Sequence, residues 1–259
     1  MSETIKKLTT LSTENSELES LLEIPDTQTK PPCVILCHPH PRYGGNMFDT
    51  LINDISTHLL NSGIATLRFN QRGVGMSTGE PGDGPKELAD TQAIVNLTAV
   101  NPKIDGSRLG ILGYSFGAWM ALESSLRSNS IKSLVSIACP QNKFAQYGTV
   151  QITQPKLLIL GDRDHDFTIG QFRFLSNRMS EPKKTEIITG GNNTTVLGTK
   201  VFKSVTSITP SASSSGNVQV GTNVTGKFSI SHKIGKSNFL ASLRSSFRFS
   251  SGIILPPGF

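Results

Sequence analysis

A serine flanked by glycines two residues to either side, Gly113-Tyr114-Ser115-Phe116-Gly117, is the stretch of this chain best suited to chemistry. It directly follows the apolar run Leu109 to Leu112 and precedes Ala118-Trp119-Met120-Ala121-Leu122, which predicts strand, sharp turn, helix. Such a turn pushes the serine into a strained, exposed position, and glycines at its shoulders let the neighbouring backbones close in. A serine held this way is suited to attack an acyl carbon and form a covalent ester. The charge that develops on the carbonyl oxygen then needs fixed donors, and the N–H of Phe116, next after the nucleophile, points there by the geometry of the turn.

A second donor is expected from the loop after the apolar run Cys33 to Cys37. Pro39 and Pro41 have no N–H to give, which makes His40 the first candidate, with Gly44 and Gly45 behind it. The side chains of His38 and His40 are read as locked into the loop in preference to contacting substrate. Carboxylates come from Gly161-Asp162-Arg163-Asp164-His165-Asp166, which follows the run Leu157 to Leu160 and fits the chain order serine, acid, histidine. Asp162 and Asp166 equally suit capping of the next helix or pairing with Arg163.

The elements needed to hold these groups are legible. Ile5 to Leu11 and Leu18 to Ile24 read as a hairpin at a sheet edge. Cys33 to Cys37 reads as a strand covered on both faces, followed by a helix with Leu51, Ile55 and Leu59 on one side. Ile64 to Phe69 is the next strand. The glycine-rich loop Arg72 to Gly84 leads to a helix opened by Pro85, with Leu88, Val95 and Ala99 on one face. Leu134 to Cys139, Leu157 to Leu160 and Thr185 to Thr189 supply three more strands, with a helix at about residues 170–179 between the last two. Strands alternating with helices predict a mostly parallel sheet covered on both sides. Pro140 to Lys156 is too short for a separate lid. The glycines at 73, 75 and 79 are spaced one residue too widely for a dinucleotide loop, and no nucleotide site is expected there.

Composition limits the alternatives. Residues 1–186 hold 18 Lys and Arg against 19 Asp and Glu, whereas residues 187–259 hold seven basic residues and no acid, so the net charge of +6 belongs to the C-terminal stretch. Beyond Thr195 serine, glycine and threonine dominate and no helical period persists. The expected organisation is therefore one domain over residues 1–195 and a basic, disordered tail over residues 196–259. Nucleic-acid contact by that tail has only its charge behind it, and a solvated appendage is the simpler expectation. No apolar leader and no membrane-length span are visible, and the three cysteines read as buried thiols, so a cytoplasmic protein is expected, with no cofactor and no metal.

Three motifs in order carry a resemblance. Cys37-His38-Pro39-His40-Pro41-Arg42-Tyr43-Gly44-Gly45-Asn46-Met47, then Arg68-Phe69-Asn70-Gln71-Arg72-Gly73-Val74-Gly75-Met76-Ser77-Thr78-Gly79, then the serine turn, resemble a family of small lidless α/β-hydrolases marked by the His-Pro-His-Pro segment. That resemblance spans about residues 23–191 and implies a serine hydrolase of an ester, thioester or amide, related to esterases, thioesterases and Xaa-Pro dipeptidyl-peptidase-like domains, acting on a small acyl substrate. Its glycine-x-x-acid spacing selects Asp164 as the triad acid, and it makes Arg72 to Gly84 a structural loop. It also implies a histidine where this chain has Asn193, in Gly190-Gly191-Asn192-Asn193. Asparagine takes up no proton at neutral pH. Without a base, turnover through Ser115 would fall by about 10⁶, as in a worked protease example.

The other histidines are poor substitutes. His58 reads as a surface residue of its helix, His165 lies in the acid's own loop, and His232 belongs to the tail. Two explanations stand. One is a degenerate hydrolase that binds without turnover. The other is a shifted reading frame or altered exon boundary that removes the histidine, the acids and the last helix in one event, which is the simpler account.

Overall fold

A computed structural model describes residues 5–14 and 16–191. The expected tail, residues 196–259, and the triad-histidine position, Asn193, lie outside the described residues. Eight strands form one sheet: β1 (Ile5–Ser12), β2 (Glu17–Ile24), β3 (Cys33–Cys37), β4 (Ala65–Phe69), β5 (Leu109–Tyr114), β6 (Ile131–Ile137), β7 (Lys156–Gly161) and β8 (Lys183–Ile188). Their spatial order is β1-β2-β4-β3-β5-β6-β7-β8. The β1–β2 hairpin runs antiparallel onto β4, and every pair from β4 to β8 is parallel. The helices are α1 (Thr50–Asn61), α2 (Pro85–Ala99), α3 (Phe116–Arg127), the single turn α4 (Gln141–Phe144) and α5 (Ile169–Arg178).

The continuous apolar runs are explained by two separate cores. In β3, Cys33, Ile35 and Cys37 join one core with Ile94 and Val95 of α2, Ala118 and Leu122 of α3 and Phe172 of α5. Val34 and Leu36 join the other with Leu51, Ile55 and Leu59 of α1. A strand feeding two cores has no polar side to show, hence no alternation. Between β6 and β7 the chain makes only α4 and a 3-10 turn, Ala145–Gly148, so no lid domain is inserted there.

Several expectations need correction. Strand β6 begins at Ile131 and ends at Ile137, because Ala138 turns to a positive φ of 47°. Helix α2 buries Glu87, Asp90, Thr91 and Thr98 beside Ile94 and Val95, while Leu88 and Ala99 are only partly covered. His58 is half-buried and not a surface residue; burial pulls its pKa down. None of the described helices is long and apolar enough to cross a membrane.

Candidate active site

The parallel strands all end on one edge of the sheet, and the loops leaving β3, β5 and β7 meet there. Strand β5 runs into Ser115, which takes φ 54° and ψ −117°. A non-glycine residue in such a region costs about 1–3 kcal/mol and persists only where its surroundings enforce it. Three contacts do so. The Ser115 N–H donates to Ile137 O at 2.8 Å, which ties the turn to β6, and Ser115 O accepts from Ala118 N–H at 2.9 Å, which starts α3. The shoulders are packed backbone to backbone: a Cβ on Gly113 would stand 2.0 Å from Gly117 O, and one on Gly117 would stand 2.1 Å from Cys37 O and 2.6 Å from His38 O. The two glycines therefore let the turn fold on itself and press against the chain leaving β3.

That chain is the His-Pro-His-Pro loop. His38 is fully buried and both ring nitrogens are engaged, Nδ1 with Pro39 O at 2.6 Å and Nε2 with the Gln71 N–H at 3.0 Å. Burial pushes its pKa down to about 4, against a smaller upward pull from Pro39 O. His38 is thus a loop-locking side chain, as expected from the sequence. His40 O accepts from Tyr43 N–H at 3.0 Å and Gly45 N–H at 3.2 Å around a 3-10 turn, Pro41–Tyr43, which ends on Gly44 at φ 82°. The His40 ring accepts from Arg42 N–H at 3.1 Å and lies 4.5 Å, centroid to centroid, from the Phe116 ring. The N–H groups of His40 and Phe116 have no acceptor among the described residues.

The acid loop leaves β7 at Gly161. Asp164 is half-buried, and burial raises its pKa although its Oδ1 accepts from Asp166 N–H at 3.0 Å and Phe167 N–H at 2.9 Å. Tyr114, the residue before Ser115, has its pKa raised to about 12, first by burial and then by the charges of Asp49 and Asp164. Strand β7, which Asp164 follows, lies two places from β5 in the sheet. The other two acids have different tasks. Asp162 accepts from Gly190 N–H at 2.7 Å, and the N-cap of α5 is Thr168, so neither Asp162 nor Asp166 caps that helix. His165 is exposed. The Arg163 N–H donates to Gly191 O at 2.8 Å, so the acid loop is bonded to the last two described residues of the chain.

Strand order, the serine at positive φ and the acid loop two strands along decide the architecture. This is an α/β-hydrolase fold. Residues 70–189 match the dienelactone hydrolase family. A relative from Rickettsia prowazekii is 32% identical over 157 residues, and the match spans 60% of this chain and 66% of that protein's length. Among solved structures, an α/β serine hydrolase homologue from Coxiella burnetii superposes with a TM-score of 0.65 at 27% identity, covering 73% of this chain and 89% of that one. A lidless α/β serine hydrolase from Xanthomonas campestris superposes at 0.61 and 24% identity, covering 73% and 85%.

The hydrolase scaffold contains supporting groups that the sequence reading did not resolve. Arg72 makes a two-pronged pair with Asp90, both contacts 2.8 Å, and the Glu87 carboxylate accepts from Gly82 N–H and from Gly84 N–H. These acids form the polar buried face of α2, and they fix the glycine-rich loop. Their spacing, three residues apart at positions 87 and 90 of one helix, was the available signal, since such a face needs a cationic or N–H-rich partner. The loop also answers the nucleotide question: Glu19 accepts from Met76 N–H at 2.9 Å and from Asn70 Nδ2 at 2.7 Å, and a Cβ on Gly75 would stand 2.4 Å from that carboxylate. A phosphate has no place beside a carboxylate held there. Asp83 at its tip pairs with Arg42 of the His-Pro-His-Pro loop at 3.2 Å.

Proposed function

We propose that this α/β-hydrolase acts on an ester, thioester or amide of a small acyl substrate through an acyl-enzyme on Ser115. The single observation that carries the reading is Ser115 itself, held at a positive φ against the loop that follows β3. Strain of this kind is expected where a side chain must be presented to a reacting group. Phe116 N–H and His40 N–H are the proposed oxyanion donors, and their lack of an acceptor among the described residues supports that role. Asp164 is the proposed triad acid, supported by its place after β7, two strands from β5, where it is half-buried and its Oδ1 accepts from the N–H groups of Asp166 and Phe167. A relation to Xaa-Pro dipeptidyl-peptidase-like or esterase-like branches belongs to the same proposal, as does action in the cytoplasm.

The identity of Asn193 favours a second reading, a hydrolase fold that binds an acyl ligand and turns it over slowly or not at all. One experiment separates the two. A fluorophosphonate should label the protein, and labelling should vanish in Ser115→Ala. In the slow-binding reading, Asn193→His should raise ester turnover by about 10²–10⁴, the usual worth of a positioned base. A folded protein that resists the probe even as Asn193→His overturns the nucleophile assignment.

A further inference from the structure

The ring of His38 bridges two backbone groups, and the bridge fixes its proton. Gln71 N–H has only a hydrogen to offer, so Nε2, 3.0 Å away, must present a lone pair. In a neutral imidazole the proton then sits on Nδ1, which donates to Pro39 O at 2.6 Å. That carbonyl is one end of a planar peptide whose other end is the N–H of His40. Holding the oxygen holds the direction of the N–H. Gly45 packs against the same carbonyl: a Cβ there would stand 2.0 Å from Pro39 O and 3.0 Å from His40 O, the next carbonyl along the chain. A hydrogen bond accepted at a carbonyl also polarises its amide, which strengthens the N–H as a donor.

From this we infer that His38 is a positioning residue, whose Nδ1–H orients and polarises the Pro39–His40 peptide so that the His40 N–H serves as the second oxyanion donor. The inference rests on the serine hydrolase reading above. It assigns to the first histidine of the His-Pro-His-Pro segment a duty in turnover separate from tying the loop to Gln71. The two bonds of the ring can be separated by substitution. An asparagine places an amide nitrogen where Nδ1 stands and loses the acceptor for Gln71. A glutamine places its amide oxygen near Nε2 and loses the donor to Pro39.

The test compares full-length wild type, His38→Asn and His38→Gln by the backbone amide resonance of His40 and by hydrolysis of p-nitrophenyl acetate. His38→Asn should keep the resonance near its wild-type position and kcat within about threefold. His38→Gln should shift the resonance and lower kcat by about 10²-fold, the lower end for loss of one oxyanion donor, with KM unchanged. Any other ordering of the two variants overturns the inference, because a role confined to joining the loops favours glutamine. Wild type that hydrolyses nothing favours the reading in which Asn193 leaves the fold without turnover, and the His40 resonance then decides the orientation claim alone. Ring nitrogen shifts of the unsubstituted protein complete the test: a proton on Nε2 of His38 overturns the inference whether or not the variants fold.

Discussion

Gly117→Ala should damage this protein twice, in stability and in chemistry. An added Cβ would stand 2.1 Å from Cys37 O, against 3.4 Å for the onset of ordinary contact, an overlap of about 1.3 Å with backbone that cannot swing aside. Relief requires α3 to back away from the end of β3. Overpacking of this kind costs about 1–3 kcal/mol, against a helix-propensity gain of about 1 kcal/mol from replacing glycine with alanine. Equilibrium urea unfolding should show a midpoint lower by up to about 1 M with an unchanged slope, for a net cost of up to about 2 kcal/mol and a slope of about 2 kcal/mol/M. Because the displacement separates Ser115 from the His40 loop, phosphonylation of Ser115 by a fluorophosphonate, with loss of fluoride, should also slow, by about 10²-fold for a shift near 1 Å. Gly170→Ala is the internal control. Gly170 lies in the first turn of α5 with nothing within 4 Å of its Cβ position, and alanine there should stabilise by about 0.4–1 kcal/mol. If Gly117→Ala unfolds at the wild-type midpoint and labels at the wild-type rate, the close approach is not what demands glycine, and the packing argument fails.

Two further outcomes follow from buried charge. Glu23 and Arg68 pair at 2.5 Å with side chains only 2% and 4% exposed, and Lys6 adds a second cation at 2.9 Å. Burial pushes the Glu23 pKa up, but Lys6 and Arg68 together bring it below its ordinary value, so the carboxylate stabilises the fold above about pH 4.5 and that contribution is lost as pH falls through the lower folded pKa. Glu23→Gln should cost about 3–5 kcal/mol in urea unfolding at pH 7 by leaving Arg68 without its anion, and should flatten the acid limb of the stability profile. Lys156 carries the opposite charge, but its pKa is lowered too, so the pH dependence has the same sign in a different window. It is buried with its ammonium on Ser180 O at 2.9 Å and Pro182 O at 3.1 Å, and burial lowers its pKa to about 8. Between about pH 8 and 10.5 the unfolded chain binds a proton that the folded chain does not, so stability should rise with pH across that window, and Lys156→Met should abolish the rise.

The fold was legible because its signals are local. Continuous apolar runs bounded by turn residues located β3, β5 and β7, since each feeds two cores and has no polar face to hide it. The serine turn was legible because close backbone approach leaves a glycine at each shoulder. What escaped depends on partners distant in sequence. Glu23 meets Arg68 across 45 residues, and Arg72 meets Asp90 across 18, so a buried charge looks like a surface charge until its partner is placed. The end of β6 was misplaced for a related reason: Ala138 carries no mark of its positive φ, because its N–H donates to Ile159 O on the neighbouring strand, which no local pattern reports.

The acid loop is tied to the chain that leaves β8. The Asp162 carboxylate holds the N–H of Gly190, the Asp162 N–H donates to Ile188 O, and the Arg163 N–H donates to Gly191 O. The chain leaving β8 is thus bonded through Gly191 to the same loop that presents Asp164. Among the described residues, the serine turn, the loop after β3 and the acid loop are each held by contacts of their own. Those contacts hold Ser115 at its positive φ, and among the described residues the N–H groups of Phe116 and His40 have no acceptor. The chemistry proposed for Ser115 and that proposed for residue 193 therefore have to be tested by separate substitutions.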